Sequence, residues 1–289
     1  MNIGYLGPRG TFTEQAARRF LEERGLGRRA ELRPYRTIPA MMQAVQEGSL
    51  EAAVAPIENA IEGSVAVTLD ALIHDVSLEI VAEVVLPVVH YLMVRPGTAL
   101  SQVEAVISHP QALAQCRKSL ERLVPHATQL AATSTAEAAQ QVASENRPLA
   151  ALGTALAAEL YGLEIVASDL QDLRENATRF VVVARERSQR TGRDKTSVVF
   201  AFRTDRPGNL YRALGCFASR NINLTKLESR PAKLHLGEYL FLVDLEGHVD
   251  DPPVRAALDE IRAMCAFFKV LGSYPRVDYS AALGGLSAL

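Results

Sequence analysis

The sequence repeats one structural unit five times before residue 163: a short apolar run, a small polar loop and the start of a helix. Apolar runs cover residues 2–6, 52–55, 103–107 and 150–152, and a further helix start lies at Ser134. Ser or Thr three residues before Glu, and proline at a first helical position, indicate where the helices begin. This alternation predicts an α/β domain with largely parallel sheets.

Ligands of such domains bind beyond the carboxyl ends of the strands, where helix N-termini present unpaired N–H groups and a partial positive charge. Thr11 opens the first helix of this chain, and Pro110 opens another. We therefore expect several anion-binding helix starts, with hydroxyl groups among them, to face one cleft.

Residues 76–100 have an almost continuous strand-like composition, which predicts that the chain crosses there into a second lobe. The return is expected after Leu163, so that the run at 180–183 pairs with the first lobe. The prediction is a two-lobed cleft closed by a double crossover. Its lobes comprise roughly residues 1–75 with 164–184, and residues 76–163.

Residues 185–195 are charged and lack apolar periodicity, so we interpret them as a linker. Residues 196–276 then alternate in the order βαββαβ, which is typical of a ferredoxin-like domain. In this interpretation helices cover residues 206–221 and 252–268, and residues 277–289 form a loose tail. The fold class is therefore α/β, with two domains in 289 residues.

Charge and cysteine usage restrict the class of protein. A formal net charge of -2 and a pI near 6.3 give no general reason to expect nucleic acid or a membrane as a partner. Cys116, Cys216 and Cys265 are far apart, with no metal-ligand spacing, and Cys116 is expected to be buried and inert. The N-terminus lacks the features of a signal peptide. These observations predict a cytoplasmic protein without a metal.

The polar triplet Asn176, Thr178 and Arg179 runs directly into the apolar strand Phe180–Val183. An amide, a hydroxyl and a fixed cation could together bind and protonate an anionic ligand. Taken alone, the triplet fits a turn with a solvated arginine better than it fits a site, because short motifs occur by chance.

Seven motifs in order change that balance, because together they resemble monofunctional prephenate dehydratase from residue 2 to about residue 276. They read GPRGTFTEQAA, VAPIENAIEGSV, ISHPQALAQC, TSTAEAA, NATRFVVV, GNLYRAL and ESRP. The resemblance implies a two-lobed, periplasmic-binding-protein-like (type II) catalytic domain followed by a ferredoxin-like ACT regulatory domain. It departs from the family at Ala60, where serine is usual, and at Asn209 and Tyr211.

The resemblance also implies the reaction, which converts prephenate to phenylpyruvate, carbon dioxide and water without a cofactor. Thr178 would hydrogen-bond the departing hydroxyl and either donate its proton or position a water that does, Arg179 would bind a carboxylate, and Asn176 and Glu58 would orient them. The expected substrate-binding residues are Thr11, Asn59, Ser64, Ser108, Gln111, Thr135 and Phe180. His109 is expected to be structural.

Regulation is implied in the same way, with L-phenylalanine as an allosteric inhibitor bound between ACT domains of a homodimer or homotetramer. The expected effector-binding residues are Gly208, Asn209, Leu210, Asn221, Asn223, Leu224, Glu228, Ser229 and Arg230. Two alternatives stay open: an arogenate dehydratase, and a non-enzymatic sensor of a small acid with the same fold. A transport-type binding protein is a weaker alternative, because it would need a signal peptide.

Overall fold

A computed structural model describes residues 1–27, 29–173, 175–232 and 239–279. The strands are β1 Asn2–Leu6, β2 Glu31–Tyr35, β3 Ala52–Asn59, β4 Gly63–Ser64, β5 Glu79–Pro87, β6 Tyr91–Val94, β7 Ala105–Ser108, β8 Thr128–Ala131, β9 Leu149–Gly153, β10 Glu164–Ala167, β11 Ala177–Ala184, β12 Asp194–Phe202, β13 Leu224–Pro231, β14 Tyr239–Glu246 and β15 Cys265–Pro275.

Most of the α-helices begin at a capping side chain or a proline, the exceptions being α3, α5 and α8. They are α1 Phe12–Glu23, α2 Ile38–Gln46, α3 Ala66–Asp70, α4 Pro110–Gln115, α5 Arg117–Leu123, α6 Thr135–Ser144, α7 Ala155–Tyr161, α8 Asn209–Ala218 and α9 Pro252–Met264. Helix α3 continues into a π-helical turn, Ala71–Asp75, and a 3₁₀ turn covers Leu100–Gln102.

The strands form three sheets, and the predicted α/β class is confirmed. The first lobe has the order β2-β1-β3-β11-β5 with β4 paired to β3, and the second lobe has the order β10-β6-β9-β7-β8. The sheets are mixed rather than largely parallel. The pairs β1–β2, β1–β3, β7–β8 and β7–β9 are parallel, whereas β11 runs antiparallel to β3 and β5, because it returns from the second lobe.

The crossing between lobes lies within residues 76–100 and the return lies after Leu163, as the sequence predicted, but the lobe bounds at residues 75/76 and 163/164 were each wrong by several residues. Strand β5 belongs to the first lobe through its pairing with β11, and β10 belongs to the second through its pairing with β6. The chain therefore crosses at 88–90 and returns at 168–176. The two crossing segments are joined by bonds from Val88 N to Asn176 O, at 2.9 Å, and from Leu170 N to His90 O, at 3.2 Å.

The C-terminal sheet has the antiparallel order β13-β14-β12-β15, with α8 and α9 packed on one face. The predicted linker and second helix were each wrong at one end. Asp194 and Lys195 are already buried in β12, and residues 265–268 are strand rather than helix. Within the predicted tail, Tyr279 contacts Lys195, while residues 280–289 lie outside the described part of the chain, as do residues 237–238 of the predicted third strand.

The other face of this sheet packs directly on the first lobe, so the two domains share one apolar core. Val181 and Ile80 of the first lobe are buried in the same cluster as Val199, Leu242 and Leu271 of the C-terminal domain. Apolar burial of this kind contributes about 25 cal/mol per Å². The C-terminal domain is thus packed against one face of the first-lobe sheet, called the back of the sheet below, and helix α1 packs against the opposite face.

Gly272 lies where β15 crosses β5, and we expect Gly272→Ala to destabilise the protein. Its φ is +151°, and a Cβ there would lie 2.2 Å from Ile80 O, a backbone atom that cannot turn aside. Overpacking of this kind costs about 1–3 kcal/mol. Urea unfolding measures the loss. Gly215→Ala, in helix α8 with open space around it, is the control and should not destabilise. Equal stability of both variants would contradict the prediction.

Candidate active site

A cavity of about 220 Å³ lies between the two lobes. Its walls come from helix starts of both lobes, from the crossover segment and from the ends of β3 and β11. The lining residues are Thr11, Phe12, Thr13, Asn59, Val88, His90, His109, Gln111, Ala112, Gln115, Thr133, Ser134, Thr135 and Thr178. The structure thus brings together five of the predicted residues here: Thr11, Asn59, Gln111, Thr135 and Thr178.

Two long helices point their N-termini at this cavity, one from each lobe. Thr11 caps α1 by accepting a bond from Glu14 N, and Ser134 caps α6 by accepting one from Glu137 N. The buried Glu14 carboxylate bonds Gly10 N at 2.7 Å and so supports the loop before α1. The remaining first-turn N–H groups of a helix have no partner within it, so both ends suit carboxylates.

A hydrogen-bonded network of side-chain amides starts at the turn after β3. The backbone of that turn determines which amide atoms of the network donate and which accept. Asn59 Oδ1 accepts bonds from the backbone N–H groups of Ile61, at 3.0 Å, and Glu62, at 3.1 Å. Asn59 Nδ2 is therefore the donor, and it bonds Asn176 Oδ1 and Thr178 Oγ1, each at 2.9 Å. Backbone groups cannot exchange roles, so the orientation of the Asn59 amide is determined.

This polarity has a chemical consequence for Thr178. A hydroxyl has one proton and two acceptor lone pairs. Thr178 Oγ1 uses a lone pair to accept from Asn59, so its proton is available for another acceptor. The side chain is half-buried and lines the cavity, so a ligand oxygen in the cavity could be that acceptor.

The same network continues to an imidazole. Asn176 Nδ2 donates to Gln115 Oε1 at 3.2 Å, and that oxygen lies 3.3 Å from His90 Nε2. Neutral His90 therefore carries its proton on Nε2. Burial lowers the pKa of His90, and the bond to Gln115 opposes that shift without cancelling it. The hydrogen-bonded network thus has the neutral His90 imidazole at one end and the Thr178 hydroxyl at the other.

The lowered His90 pKa predicts a pH-dependent stability. Below pH 6.5 the unfolded chain binds a proton on this histidine before the folded chain does, so stability falls as pH falls through that range. We expect His90→Asn to lose less stability than the wild type between pH 7 and pH 5. Urea midpoints across that range measure the difference. Parallel curves for the two proteins would contradict the prediction.

Arg179 does not enter the cavity, and the prediction that it binds a substrate carboxylate there is wrong in this structure. Successive strand residues point to opposite faces, so Thr178 and Arg179 cannot share one. The buried Arg179 guanidinium instead lies on the back of the sheet. It pairs with Glu58 at 3.1 Å, Asp244 at 2.8 Å and Glu83 at 3.4 Å.

Four further predicted site residues lie away from the cavity. Glu58 faces the C-terminal domain and pairs with Lys226 at 2.9 Å. The Ser64 hydroxyl bonds Glu228 and accepts from Lys226. Ser108 is fully buried and donates to Leu152 O at 2.6 Å, while Phe180 is packed in the first-lobe core. Their sequence signals did not determine which face of a strand each side chain occupies.

Several lining residues were missed or taken as structural. His90 and Gln115 gave no local signal, because they lie in an apolar run and inside a helix. His109 was expected to be structural, and its Nδ1 does cap α4 by accepting from Gln111 N at 3.2 Å. Its ring also lines the cavity, so both roles are open to it.

The charge of the cavity lining is unusual for an anion site. Among the residues that the structure describes, the lining includes no aspartate, glutamate, lysine or arginine. Helix N-termini, hydroxyl groups, amides and imidazoles remain as the polar groups. Such a lining binds carboxylates through hydrogen bonds without placing a full positive charge beside them.

A second cavity, of about 850 Å³, lies in the C-terminal domain beside the start of α8. Gly208, Asn209 and Leu210, three of the predicted effector-binding residues, line it together with His74 of the first lobe. Asn221, Asn223 and Leu224 lie at the opposite end of α8, and a ten-residue helix is roughly 15 Å long. One chain alone therefore does not bring these two predicted groups together.

The third predicted effector group lies on β13. Glu228 contacts Ser64, and Arg230 pairs with Asp70 at 2.8 Å, so both are directed at the first lobe. Ser229 is exposed on the opposite side of the strand. In one chain these residues form a contact between domains.

Among the described residues, no group of three or more His, Cys, Asp or Glu side chains is arranged to hold a metal ion. No helix in the described ranges is long and apolar enough to cross a membrane. Cys116 is buried as predicted, and burial raises the pKa of its thiol to about 12.

Comparison with known proteins identifies the family. Residues 3–188 match the family model for prephenate dehydratase, and residues 197–263 match that for the ACT domain. Prephenate dehydratase of Mycolicibacterium vanbaalenii is 43% identical over 288 residues, covering 96% of this chain and 91% of the relative.

Solved structures agree over nearly the whole chain. Prephenate dehydratase from Arthrobacter aurescens in complex with L-Phe is 35% identical, with a TM-score of 0.87 over 99% of this chain and 95% of that one. A protein described as GqqA, a novel type of quorum quenching acylase, is 31% identical, with a TM-score of 0.85 over 96% of this chain and 99% of that one. With two matching domains and closely related sequences over its whole length, the chain belongs to the prephenate dehydratase family of lyases and carries a C-terminal ACT domain.

Proposed function

We propose that this chain converts prephenate to phenylpyruvate for L-phenylalanine biosynthesis. The observation that carries the proposal is the Thr178 hydroxyl, which accepts from Asn59 and so has its proton available in a cleft with two helix N-termini. A cytoplasmic location stays a prediction from the cysteine pattern.

The proposed reaction breaks two bonds of the substrate. The bond between the ring and its carboxylate breaks, and that electron pair enters the ring as carbon dioxide leaves. The C–O bond to the ring hydroxyl breaks at the same time, and the hydroxyl takes a proton to leave as water. The prephenate dianion and one proton thus give the phenylpyruvate anion, carbon dioxide and water.

The residues of the cleft suit these steps. Thr178 donates to the departing hydroxyl, and solvent restores its proton. The N-termini of α1 and α6 hold the carboxylates through N–H groups. The described part of the lining offers the leaving carboxylate N–H groups, hydroxyls and amides in place of a lysine or arginine. Ground-state binding is thereby kept below transition-state binding.

The same lining favours prephenate over arogenate. Arogenate carries an ammonium group where prephenate carries a keto oxygen, and an ammonium in a cleft is best paired with a carboxylate. The lining residues within the described ranges include no acidic side chain. Desolvating that cation without a counter-charge would cost free energy, so we propose the keto acid as the substrate.

An acylase activity has less support in this cleft. A hydroxyl nucleophile of that kind donates its proton to a neighbouring base. The side-chain bond of Thr178 among the described residues comes from the Asn59 amide, which is a donor and not a base. We therefore propose a lyase reaction and no acyl transfer.

We further propose that L-phenylalanine inhibits the enzyme by binding its ACT domain in a homodimer or homotetramer. The solved relative bound to L-Phe supports the ligand. The separation of Gly208–Leu210 from Asn221–Leu224 along α8 supports a pocket completed by a second copy of the chain.

Incubation of the purified chain with prephenate, with phenylpyruvate measured over time, tests the function. Saturable turnover that falls when L-phenylalanine is added supports the proposal. Turnover of arogenate at a higher kcat/KM than prephenate would overturn the choice of substrate. Stoichiometric binding of prephenate in calorimetry without product would instead support the sensor.

A further inference from the structure

Strands β3 and β11 place two polar pairs side by side, one on each face of the first-lobe sheet. Asn59 lies opposite Thr178 in the ladder, and Glu58 lies opposite Arg179. The first pair faces the cleft and is joined by the 2.9 Å amide–hydroxyl bond. The second pair faces the ACT domain and is joined by the 3.1 Å ion pair. On each strand, therefore, the residue that faces the cleft is the immediate neighbour of the residue that faces the domain interface.

The ACT domain holds both members of the second pair. Lys226 of β13 lies 2.9 Å from Glu58, and Asp244 of β14 lies 2.8 Å from Arg179. The side chains of Lys226, Asp244 and Arg179 are 11%, 3% and 7% exposed. The Arg179–Asp244 pair is buried on both sides and is weakly screened by solvent, whereas Glu58 is 34% exposed and its pair with Lys226 is screened more; the geometry of both pairs depends on where the ACT sheet lies.

The local backbone couples the ion pairs of Glu58 and Arg179 to the cleft residues Asn59 and Thr178. The β3–β11 register shifts between Arg179 and Phe180, so the last pairs of the ladder are separated from its regular part by a bulge. Beyond Asn59 the chain turns at once, and that turn is bonded to the Asn59 side chain. A displacement of Glu58 or Arg179 is therefore transmitted to Asn59 and Thr178 through a single peptide unit on each strand.

We propose that Glu58 and Arg179 are positioning residues for the Asn59–Thr178 pair, and that the ACT domain controls that pair through Lys226 and Asp244. The inference rests on the proposed function, because it explains how an effector on the ACT domain changes turnover. It commits to one route: movement of β13 and β14 displaces Glu58 and Arg179, and the Thr178 hydroxyl loses its alignment with the substrate.

Lys226→Met in the full-length protein is the main test. We expect L-phenylalanine to bind this variant in calorimetry while the concentration for half-inhibition rises at least about ten-fold. Glu58→Gln should lower kcat by about ten-fold or more with little change in KM, because misalignment acts on the transition state. Lys226→Arg, which keeps the charge, should restore inhibition.

Lys269→Met is the matched control. Lys269 also joins the domains, through bonds from Nζ to Leu72 O and Val76 O, but these lie at the π-helical turn and not on β3 or β11. L-Phenylalanine should inhibit the Lys269→Met variant at the same concentrations as the wild type. Inhibition that is intact in Lys226→Met, or lost equally in Lys269→Met, would overturn the proposed route.

Hydrogen exchange separates this inference from the proposed function, because it needs no turnover. Added L-phenylalanine should change exchange in residues 57–60 and 177–180 of the wild type and not of Lys226→Met. If prephenate is not converted but this difference is seen, the proposed function fails and the coupling stands. If prephenate is converted and both proteins exchange alike, the coupling fails and the function stands.

Discussion

Thr178→Val is expected to lower kcat for prephenate by about 10²–10⁴-fold, the range for loss of a proton donor in a preorganised site. Valine has nearly the same shape as threonine, so the change removes the hydroxyl and little packing. The Asn59 amide loses one acceptor but keeps its bonds to Asn176 and Ala177. Initial rates of phenylpyruvate formation across a range of prephenate concentrations measure the effect.

Thr178→Ser is the control for this prediction, because serine keeps a hydroxyl that can accept from Asn59. It should retain far more activity than the valine variant. Thermal unfolding of both variants should stay close to that of the wild type, since one hydrogen bond contributes about 1 kcal/mol. A valine variant that turns over like the wild type would assign proton donation to another group or to a water molecule.

The cleft could be predicted from sequence because its elements are local. A cap residue at Thr11 or Ser134 signals a helix start within three or four residues, and parallel strands bring such starts to one edge of a sheet. The motif order then determined the family. What local patterns predicted well was therefore the set of helix starts and strand ends around the cavity.

The position of Arg179 could have been predicted better from the same residues. Thr178 and Arg179 are consecutive residues of β11, so Arg179 must take the face opposite Thr178 once the strand includes both. The prediction that Asn176, Thr178 and Arg179 all face the cleft assumed that residue 178 lies in a loop before the strand. The strand extends to Ala177 because β3 and β5 both pair with it at that end.

The partners of Arg179 were beyond sequence analysis for a different reason. Asp244 and Lys226 belong to another domain, and the distance in sequence from Arg179 to Asp244 is 65 residues, from 179 to 244. No periodicity within either segment encodes how two sheets pack across a shared core. Lys195 was assigned to the linker for the same reason, since the partners that explain its burial, Glu83 and Tyr279, are both far from it in sequence.

Lys195→Met is expected to destabilise the protein by about 3–5 kcal/mol, because it leaves a buried carboxylate short of its main counter-charge. The Glu83 side chain is fully buried, and Lys195 Nζ lies 3.0 and 2.8 Å from its two oxygens. The remaining cation, Arg179, is 3.4 Å away and is already shared with Asp244 and Glu58. Urea unfolding followed by circular dichroism measures the loss.

The double variant Lys195→Met with Glu83→Leu separates charge from packing. The four buried side chains Arg179, Lys195, Glu83 and Asp244 carry two positive and two negative charges. Removing one of each sign restores the balance, so the double variant should recover most of the stability lost by the single one. Because Glu83 and Lys195 lie in different domains, the single variant should also be cut faster by protease within residues 185–193. A double variant as unstable as the single one would show that Lys195 stabilises the interface through packing, and that its charge has little part in holding the ACT domain against the catalytic sheet.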